Sequence, residues 1–250
     1  MARYQTDGDL DPTFGGDGKV ITNFEGCCEH GQALALQANG KIVVVGTAVR
    51  EFGVARYRKD GSLDAGFGGD GMVTTSLTPP AWGFDWANAV AVQPDGKIVV
   101  AGEAGSPYYA LTSSESDEQR RGGQMALVRY RAGGTLDPEF SGDGKAMTNF
   151  TPKIDTANDV AIQADGKIVA AGTAGEGEPP RFDSKFAVIR YHPGGGRDAG
   201  FSGDGKAVTN FTPSFEDGNG VAIQADGNIV VAGRAAGNGS RFALTRYLAE

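Results

Sequence analysis

The chain has 250 residues, of which 40% are hydrophobic and 22% charged, and this supplies enough apolar material for a core. Its formal charge of −8 disfavours binding that depends on neutralising phosphates, so we expect neither nucleic acid nor an anionic membrane surface as a partner. The sequence predicts no membrane insertion and no signal peptide, because it lacks apolar runs of the required kind. Its 40 glycines indicate many tight turns.

An Arg-Tyr pair recurs along the chain at intervals of about sixty residues, which indicates a repeat architecture. Each of the first four pairs is followed by an Asp- and Gly-rich connection, such as DGSLDAGFGGDGM. We expect four repeats, with blades at about 14–57, 67–130, 140–191 and 201–247 after a partial repeat or linker at 1–13. The pairs are Arg3-Tyr4, Arg56-Tyr57, Arg129-Tyr130, Arg190-Tyr191 and Arg246-Tyr247.

Each repeat contains four strand patterns in chain order. A short KAMTNF-type segment comes first, and an AVAVQ-type segment with alternating apolar residues comes second. A KIVVAG-type segment and a MALVRY-type segment complete the unit, and no segment has a capped helical pattern. Two-residue pairs typical of a type I′ hairpin turn separate the second and third segments: Asn39-Gly40, Asp95-Gly96, Asp165-Gly166 and Asp226-Gly227.

Four short antiparallel strands per repeat predict an all-β, propeller-like ring of four four-stranded blades, because each blade then covers the apolar face of its neighbour. The alternative is an open array of β-hairpin repeats, whose end repeats would need caps. In a closed ring, the strand near Lys19–Phe24 would lie beside the last blade. Open end blades would instead allow the chain to associate with itself.

The repeated unit resembles a known family. The pattern RYxxD/GGxLDxxFG/SxxGK, followed by AxQxDGKIVVAG, covers nearly the whole chain and resembles the delta-60 repeat, a bacterial β-propeller repeat of largely unknown function. Asn39, Met72 and Arg197 depart from the pattern at single positions. The resemblance implies a propeller and, as in many members of the family, a secreted or surface-attached bacterial protein. It implies no catalytic residues.

The loops after the first and third strands reach the same end of each blade, and these loops vary between repeats. We hypothesise that they recognise a ligand, since loops on a rigid scaffold commonly carry function. Those of the second blade hold aromatic and charged residues suited to a sugar ring, a peptide or a flat organic ligand. Alternatively, they only cover the end of the propeller. The candidate residues are Trp82, Phe84, Trp86, Tyr108, Tyr109, Arg120 and Arg121.

Carboxylates recur in every connection at the other end, where hard oxygen donors could bind calcium. Their spacing does not match an EF-hand, and Asp and Gly also suit turns for backbone reasons. A further alternative is that the aspartates pair with the repeated arginines and hold the blades in register. The candidate calcium ligands are Asp11, Asp17, Asp64, Asp70, Asp137, Asp143, Asp198 and Asp204.

Signals for catalysis are weak in this sequence. His30 and His192 have no metal-ligand spacing, and Cys27-Cys28 does not match the CxxC spacing of zinc sites. The sequence therefore favours a non-enzymatic binding or structural module whose ligand is a protein or a carbohydrate. The alternative is a propeller hydrolase or lyase that acts on a carbohydrate near the central channel. No cofactor other than calcium is predicted.

Overall fold

A computed structural model describes residues 1–26, 29–79, 83–106, 122–176, 183–237 and 239–248. The regular structure in these residues consists of fifteen β-strands, and no helix occurs among them. Consequently none of the described segments has the helical length and apolarity that a bilayer crossing requires.

The strands form four antiparallel sheets, here called sheets I to IV in chain order. Sheet I contains β1 His30–Leu36, β2 Ile42–Ala48, β3 Glu51–Tyr57 and β4 Met72–Thr75. Sheet II contains β5 Phe84–Val92, β6 Ile98–Ser106, β7 Gln124–Tyr130 and β8 Lys145–Thr148. Sheet III contains β9 Asp155–Ile162, β10 Ile168–Glu176, β11 Asp183–Tyr191 and β12 Lys206–Thr209, and the three strands of sheet IV are β13 Glu216–Ile223, β14 Ile229–Gly237 and β15 Gly239–Tyr247. Repeated antiparallel sheets of this kind are propeller blades, so the predicted fold class is confirmed.

The short strands group differently from the sequence prediction, which placed them at the start of each blade. β4 pairs with β3, which precedes it, and β8 and β12 pair in the same way with β7 and β11. The connection folds back because the amide of Asp64 bonds to the carbonyl of Arg56, whose own amide bonds to the carbonyl of Gly71. Each predicted blade start is therefore one strand too early, and the sheets span 30–75, 84–148, 155–209 and 216–247.

The predicted hairpins join the first and second strands of each sheet, but their turns differ from the prediction. Gln37 accepts the amide of Gly40 and donates its own amide to the carbonyl of Lys41, which closes a three-residue loop. A type I′ turn needs positive φ at both central residues, but Asn39 has no positive φ, and its side chain accepts the amide of Lys41 at 3.0 Å. Within these four turns, positive φ is confined to the glycine: Gly40 at 79°, Gly96 at 83°, Gly166 at 84° and Gly227 at 85°.

Adjacent sheets pack face to face, with an aromatic ring of one against a glycine of the next. Phe52 of β3 is fully buried, and a Cβ at Gly102 of β6 would lie 2.9 Å from its ring. Phe186 of β11 is buried in the same way against Gly233 of β14, at 2.8 Å. Glycine is required at both positions, because a Cβ would also clash with the carbonyl oxygen of Trp86 or of Asp217 in the neighbouring strand. The core is thus divided into layers between the sheets.

The segment before sheet I forms a small strand pair of its own. Ala2 bridges to Lys19, and the amide of Val20 bonds to the carbonyl of Met1 at 2.9 Å. The strand near Lys19–Phe24 thus pairs with the N-terminal residues and not with β15, the partner expected in a closed ring. Among the strands that the structure describes, β15 has β14 as its one neighbour.

Replacing Phe52 by Ala should lower the free energy of unfolding by about 3 to 5 kcal/mol, because a cavity opens between sheets I and II. Denaturant unfolding measures this loss. The matched control is Met147→Ala on β8, whose side chain is 46% exposed and whose loss should cost about 0.5 kcal/mol or less. Equal losses in the two variants would contradict the packing role given to Phe52.

Candidate functional site

The loop end of the molecule is defined here by the described loop residues 23–26, 49–50, 76–79, 149–154 and 210–215, which lie next to the ends of the strands. Asp85, at the start of β5, shows how these loops are held. Its carboxylate is 2% exposed and accepts the amides of Leu77 at 2.7 Å and Gly105 at 2.9 Å. The chain after β4 and the end of β6 therefore meet at this end, in agreement with the sequence prediction.

An acidic residue takes the place of Asp85 in every repeat. Burial raises the pKa of Asp155, against the opposing effect of the amides of Thr151 and Phe150 that bond to it. Sequence reasoning missed this feature, although its signal is visible as an acid that recurs near the start of each AVAVQ-type strand. The acids and the loop amides that they accept are Glu29 with Phe24, Asp85 with Leu77, Asp155 with Phe150 and Glu216 with Phe211.

The Trp86 corner is defined by Trp86, Phe84, Arg50 and His30, and it lies at the junction of sheets I and II. Trp86 is partly exposed, whereas Phe84 is 4% exposed. Their rings stack with centroids 5.7 Å apart, and the guanidinium of Arg50 lies 4.8 Å from the centre of the Phe84 ring. The ring of His30 lies 6.3 Å from that of Trp86. Phe84 therefore supports Trp86 from within and offers little surface to a ligand.

Polar side chains join the first strands of successive sheets. Asn88 of β5 donates to the carbonyl of Ala157 on β9 at 3.0 Å. Asn158 of β9 donates to the carbonyl of Gly218 on β13 at 2.9 Å. These bonds tie sheets II, III and IV together beside the loop end, so the loops stand on a fixed base.

The other five predicted ligand residues all lie outside the part of the chain that the structure describes. They are Trp82, Tyr108, Tyr109, Arg120 and Arg121. The adjacent cysteines Cys27 and Cys28 lie outside it as well. Of the predicted ligand residues, the structure thus gives a geometry for Phe84 and Trp86. The other two members of the Trp86 corner, Arg50 and His30, were not predicted from the sequence to bind this ligand.

The opposite end is here called the turn end and is formed by the connections 5–18, 58–71, 131–144 and 192–205. These hold the first predicted calcium ligand of each repeat: Asp11, Asp64, Asp137 and Asp198. Arg56 donates to Asp64 at 2.7 Å, with side chains 5% and 6% exposed. The guanidinium lies 4.8 Å from the centre of the Phe67 ring and also donates to the carbonyl of Ala132 in the next repeat. This Arg–Asp–Phe unit recurs as Arg3, Asp11 and Phe14, as Arg129, Asp137 and Phe140, and as Arg190, Asp198 and Phe201.

Each connection is also bonded to the next one through the backbone. The amide of Gly68 donates to the carbonyl of Gly133 at 3.0 Å, and the amide of Ser141 donates to the carbonyl of Gly194 at 2.8 Å. The turn end is therefore a continuous series of bonds from one repeat to the next. This arrangement agrees with the alternative that the aspartates pair with arginines and hold the blades in register.

The ion pairs lower the pKa of the aspartates that accept them. The hydrogen bond from Lys41, together with the charge of Arg56, lowers the pKa of Asp64 to about 2 against the opposing effect of burial. For Asp137, burial acts to raise the pKa, but the bond from Lys97 and the backbone amide of Glu139 outweigh it and leave the pKa below its ordinary value. These carboxylates are ionised at neutral pH, as the pairing with arginine requires.

The second predicted calcium ligand of each connection has its carboxylate bonded within a turn. Each carboxylate accepts the backbone amide two residues further on, a geometry that favours Asp for local reasons. Among the residues that the structure describes, no three or more His, Cys, Asp or Glu side chains come together in a group that could hold a metal ion. The calcium hypothesis therefore gains no support. The four bonds join Asp17 to Lys19, Asp70 to Met72, Asp143 to Lys145 and Asp204 to Lys206.

The fold defines the class of this protein, which is a β-propeller repeat protein. Four segments of the chain, residues 37–67, 93–108, 163–201 and 224–250, match the model of a family described as a β-propeller domain of unknown function (DUF5122). These matches support membership of a β-propeller repeat family. A search of curated proteins finds no match.

Solved structures with a similar fold include a protein of unknown function from Bacteroides caccae, which is 13% identical over 81% of this chain and 53% of that chain, with a TM-score of 0.43. A protein of unknown function from Dyadobacter fermentans is 13% identical over 86% of this chain and 64% of that chain, with a TM-score of 0.49. This chain thus spans less than two thirds of the length of either protein. Likenesses at this level carry no information about activity.

Replacing Arg56 by Met should lower the free energy of unfolding by about 2 kcal/mol, because Asp64 then loses its buried partner and keeps only the more exposed Lys41 at 2.8 Å. Adding Asp64→Asn should restore part of that loss, since the carboxylate that Arg56 no longer neutralises is gone. A double-mutant cycle in urea measures the coupling, and strictly additive losses would contradict the buried pair. Asp70→Asn, in the same connection, is the control and should cost about 1 kcal/mol or less.

The lowered pKa of Asp64 makes its contribution to stability depend on pH. That contribution is complete above the ordinary carboxyl pKa and is lost as the pH falls towards the folded pKa of about 2. We therefore expect the stability difference between the wild type and Asp64→Asn to be constant above about pH 5 and to shrink steadily below about pH 4. Chemical unfolding of both proteins across this range tests it, and a gap unchanged at the acidic limit would show that no ionised pair is involved.

Proposed function

We propose that this propeller is a non-enzymatic binding module that recognises a protein or carbohydrate through its loop end, chiefly through the loops of the second repeat. The observation that carries the proposal is the Trp86 corner. The partly exposed indole of Trp86 stacks on buried Phe84, which is itself covered by Arg50, so the ring is oriented before any ligand arrives.

The chemistry of the Trp86 corner suits a ring with polar substituents. The indole offers an apolar face for stacking and one N–H donor, and the imidazole of His30 beside it can donate or accept. Aromatic faces with a few nearby polar groups are typical of sites that bind sugars and peptides. The hydrogen bonds between first strands support this reading, because they fix the base from which the loops extend.

The contrast between the two ends also supports recognition at the loop end. Every connection at the turn end repeats the Arg–Asp–Phe unit, whose groups are used to hold one repeat to the next. The loop end keeps one acidic residue per repeat, and its loops differ in sequence outside the Asn-Phe-Thr-Pro segment that 149–152 and 210–213 share. The proposal also takes the unit as the delta-60 repeat of a bacterial protein that is secreted or surface-attached, as the sequence resemblance implies.

Replacing Trp86 by Ala should weaken binding about tenfold or more to ligands found by screening the purified chain on glycan and peptide arrays. The control is Phe215→Ala, which removes a loop-end aromatic that is 36% exposed but belongs to sheet IV. We expect this variant to bind like the wild type. Unchanged binding by Trp86→Ala, or turnover of a bound glycan, would contradict a non-enzymatic site at the Trp86 corner.

A further inference from the structure

Two of the three junctions between successive sheets, from sheet I to II and from III to IV, follow one pattern. The third strand of one sheet presents a phenylalanine to a glycine in the second strand of the next, as Phe52 does to Gly102 and Phe186 does to Gly233. Both phenylalanines are fully buried. The residues two positions later in the third strands, Val54, Leu127 and Val188, are fully buried as well.

The outer face of sheet IV carries the same side chains, and no described sheet covers them. Phe242 of β15 holds the position of Phe52 and Phe186 but is 105% exposed. Leu244 holds the position of Val54 and is 65% exposed. Burying such side chains removes a large apolar area from water, so this face is an apolar surface suited to association.

The opposite face of sheet I supplies the surface that this face would meet. A cleft of about 350 Å³ lies between sheet I and the N-terminal strand pair, and its walls include Val44, Gly46, Ala55 and Tyr57. Gly46 holds in β2 the position that Gly102 holds in β6, since both follow an Ile-Val-Val-x sequence. The cleft therefore lies where the preceding sheet would place its phenylalanine.

The segment Lys19–Thr22 and strand β15 also have exposed edges that could pair with each other. The segment Lys19–Thr22 corresponds to β12, yet its Ile21 is 97% exposed, whereas Val208 at the same position of β12 is 48% exposed. β12 pairs with β11 so that Phe186 faces Thr209. The same register would place Phe242 opposite Thr22 and Leu244 opposite Val20, and it would give sheet IV a fourth strand.

The charges at these two ends are complementary. Arg246 of β15 is exposed, whereas the equivalent Arg56 is 4% exposed in its pair with Asp64. Asp11 occupies the position of Asp64 and is paired with Arg3 at 2.8 Å, but these two side chains are 21% and 33% exposed. Arg246 can therefore replace Arg3 and form a more buried pair with Asp11.

We infer that sheet IV of one copy of this chain docks onto sheet I of a second copy, where it displaces Met1–Tyr4 and takes Lys19–Thr22 as its fourth strand. A second copy is the occupant because both ends of one chain are exposed in the same structure, at Phe242 and at Ile21. Two copies cover both ends, since each gives its sheet IV to the other and two equivalent junctions close the pair.

Sedimentation equilibrium of the full chain tests the association, with an expected mass of twice 25.9 kDa. The double variant Phe242→Asp and Leu244→Asp should weaken association about a hundredfold or more, and its melting temperature as a monomer should be that of the dissociated wild type because both side chains are exposed. The control is Met147→Asp with Val208→Asp, which charges two exposed apolar residues away from the ends and should leave the dimer intact. A monomeric wild type would overturn the inference.

Disulfide trapping tests the register and the choice of occupant. In a chain with Cys27 and Cys28 replaced by Ser, the pair Val20→Cys and Leu244→Cys should form a covalent dimer on oxidation, because facing residues meet the geometry of a disulfide. The register-shifted pair Ile21→Cys and Leu244→Cys should not. A bond within one chain would show that sheet IV closes on its own sheet I, and absence of any bond would contradict the register, so either result overturns the inference.

Discussion

The buried ion pair between arginine and aspartate is the interaction on which the rest of the structure depends. In its most buried example, Nε of Arg129 lies 2.8 Å from a carboxylate oxygen of Asp137, with side chains 4% and 0% exposed, and the guanidinium of Arg129 covers the ring of Phe140. The same guanidinium reaches the carbonyl of Pro193 in the next repeat. One side chain thus ends a strand, fixes the connection that follows it and bonds to the next blade. Such a pair tolerates little change, because removing one partner leaves a buried charge.

Because the ion pairs at the turn end join one repeat to the next, the loops at the other end can differ in sequence. Because strand order and register are set where the connections meet, a loop such as 76–79 needs only a local anchor. Asp85 supplies it by accepting the amides of Leu77 and Gly105. Apart from the hydroxyl of Thr78, which also donates to Asp85, this anchor binds backbone amides and so constrains few side chains of the loop. The scaffold can therefore carry different loops in each repeat, and aromatic groups such as Trp86 can be presented there without any change in the sheets.

The repeat made much of the fold predictable, since each strand pattern was seen four times in equivalent surroundings. The pairing of β4 with β3 was not predictable, because it depends on bonds between the ends of the connection that no local preference shows. Phe84 and Trp86 are two residues apart and should share a face of a regular strand. Their rings do stack, yet Phe84 is buried and Trp86 is partly exposed, and the pairing with β6 shifts register between them. Neither the register shift nor this difference in burial is visible in the residue pattern.

Hydrogen exchange of Arg129→Met tests most directly whether the ion pair carries register from one repeat to the next. The amide of Ser141 bonds to the carbonyl of Gly194, and the amide of Phe150, at the loop end, bonds to Asp155. We expect faster exchange at Ser141 and in the next connection, at 194–196, with little change at Phe150. Loss of protection confined to the connection that contains Asp137, or equal loss at Phe150, would contradict it.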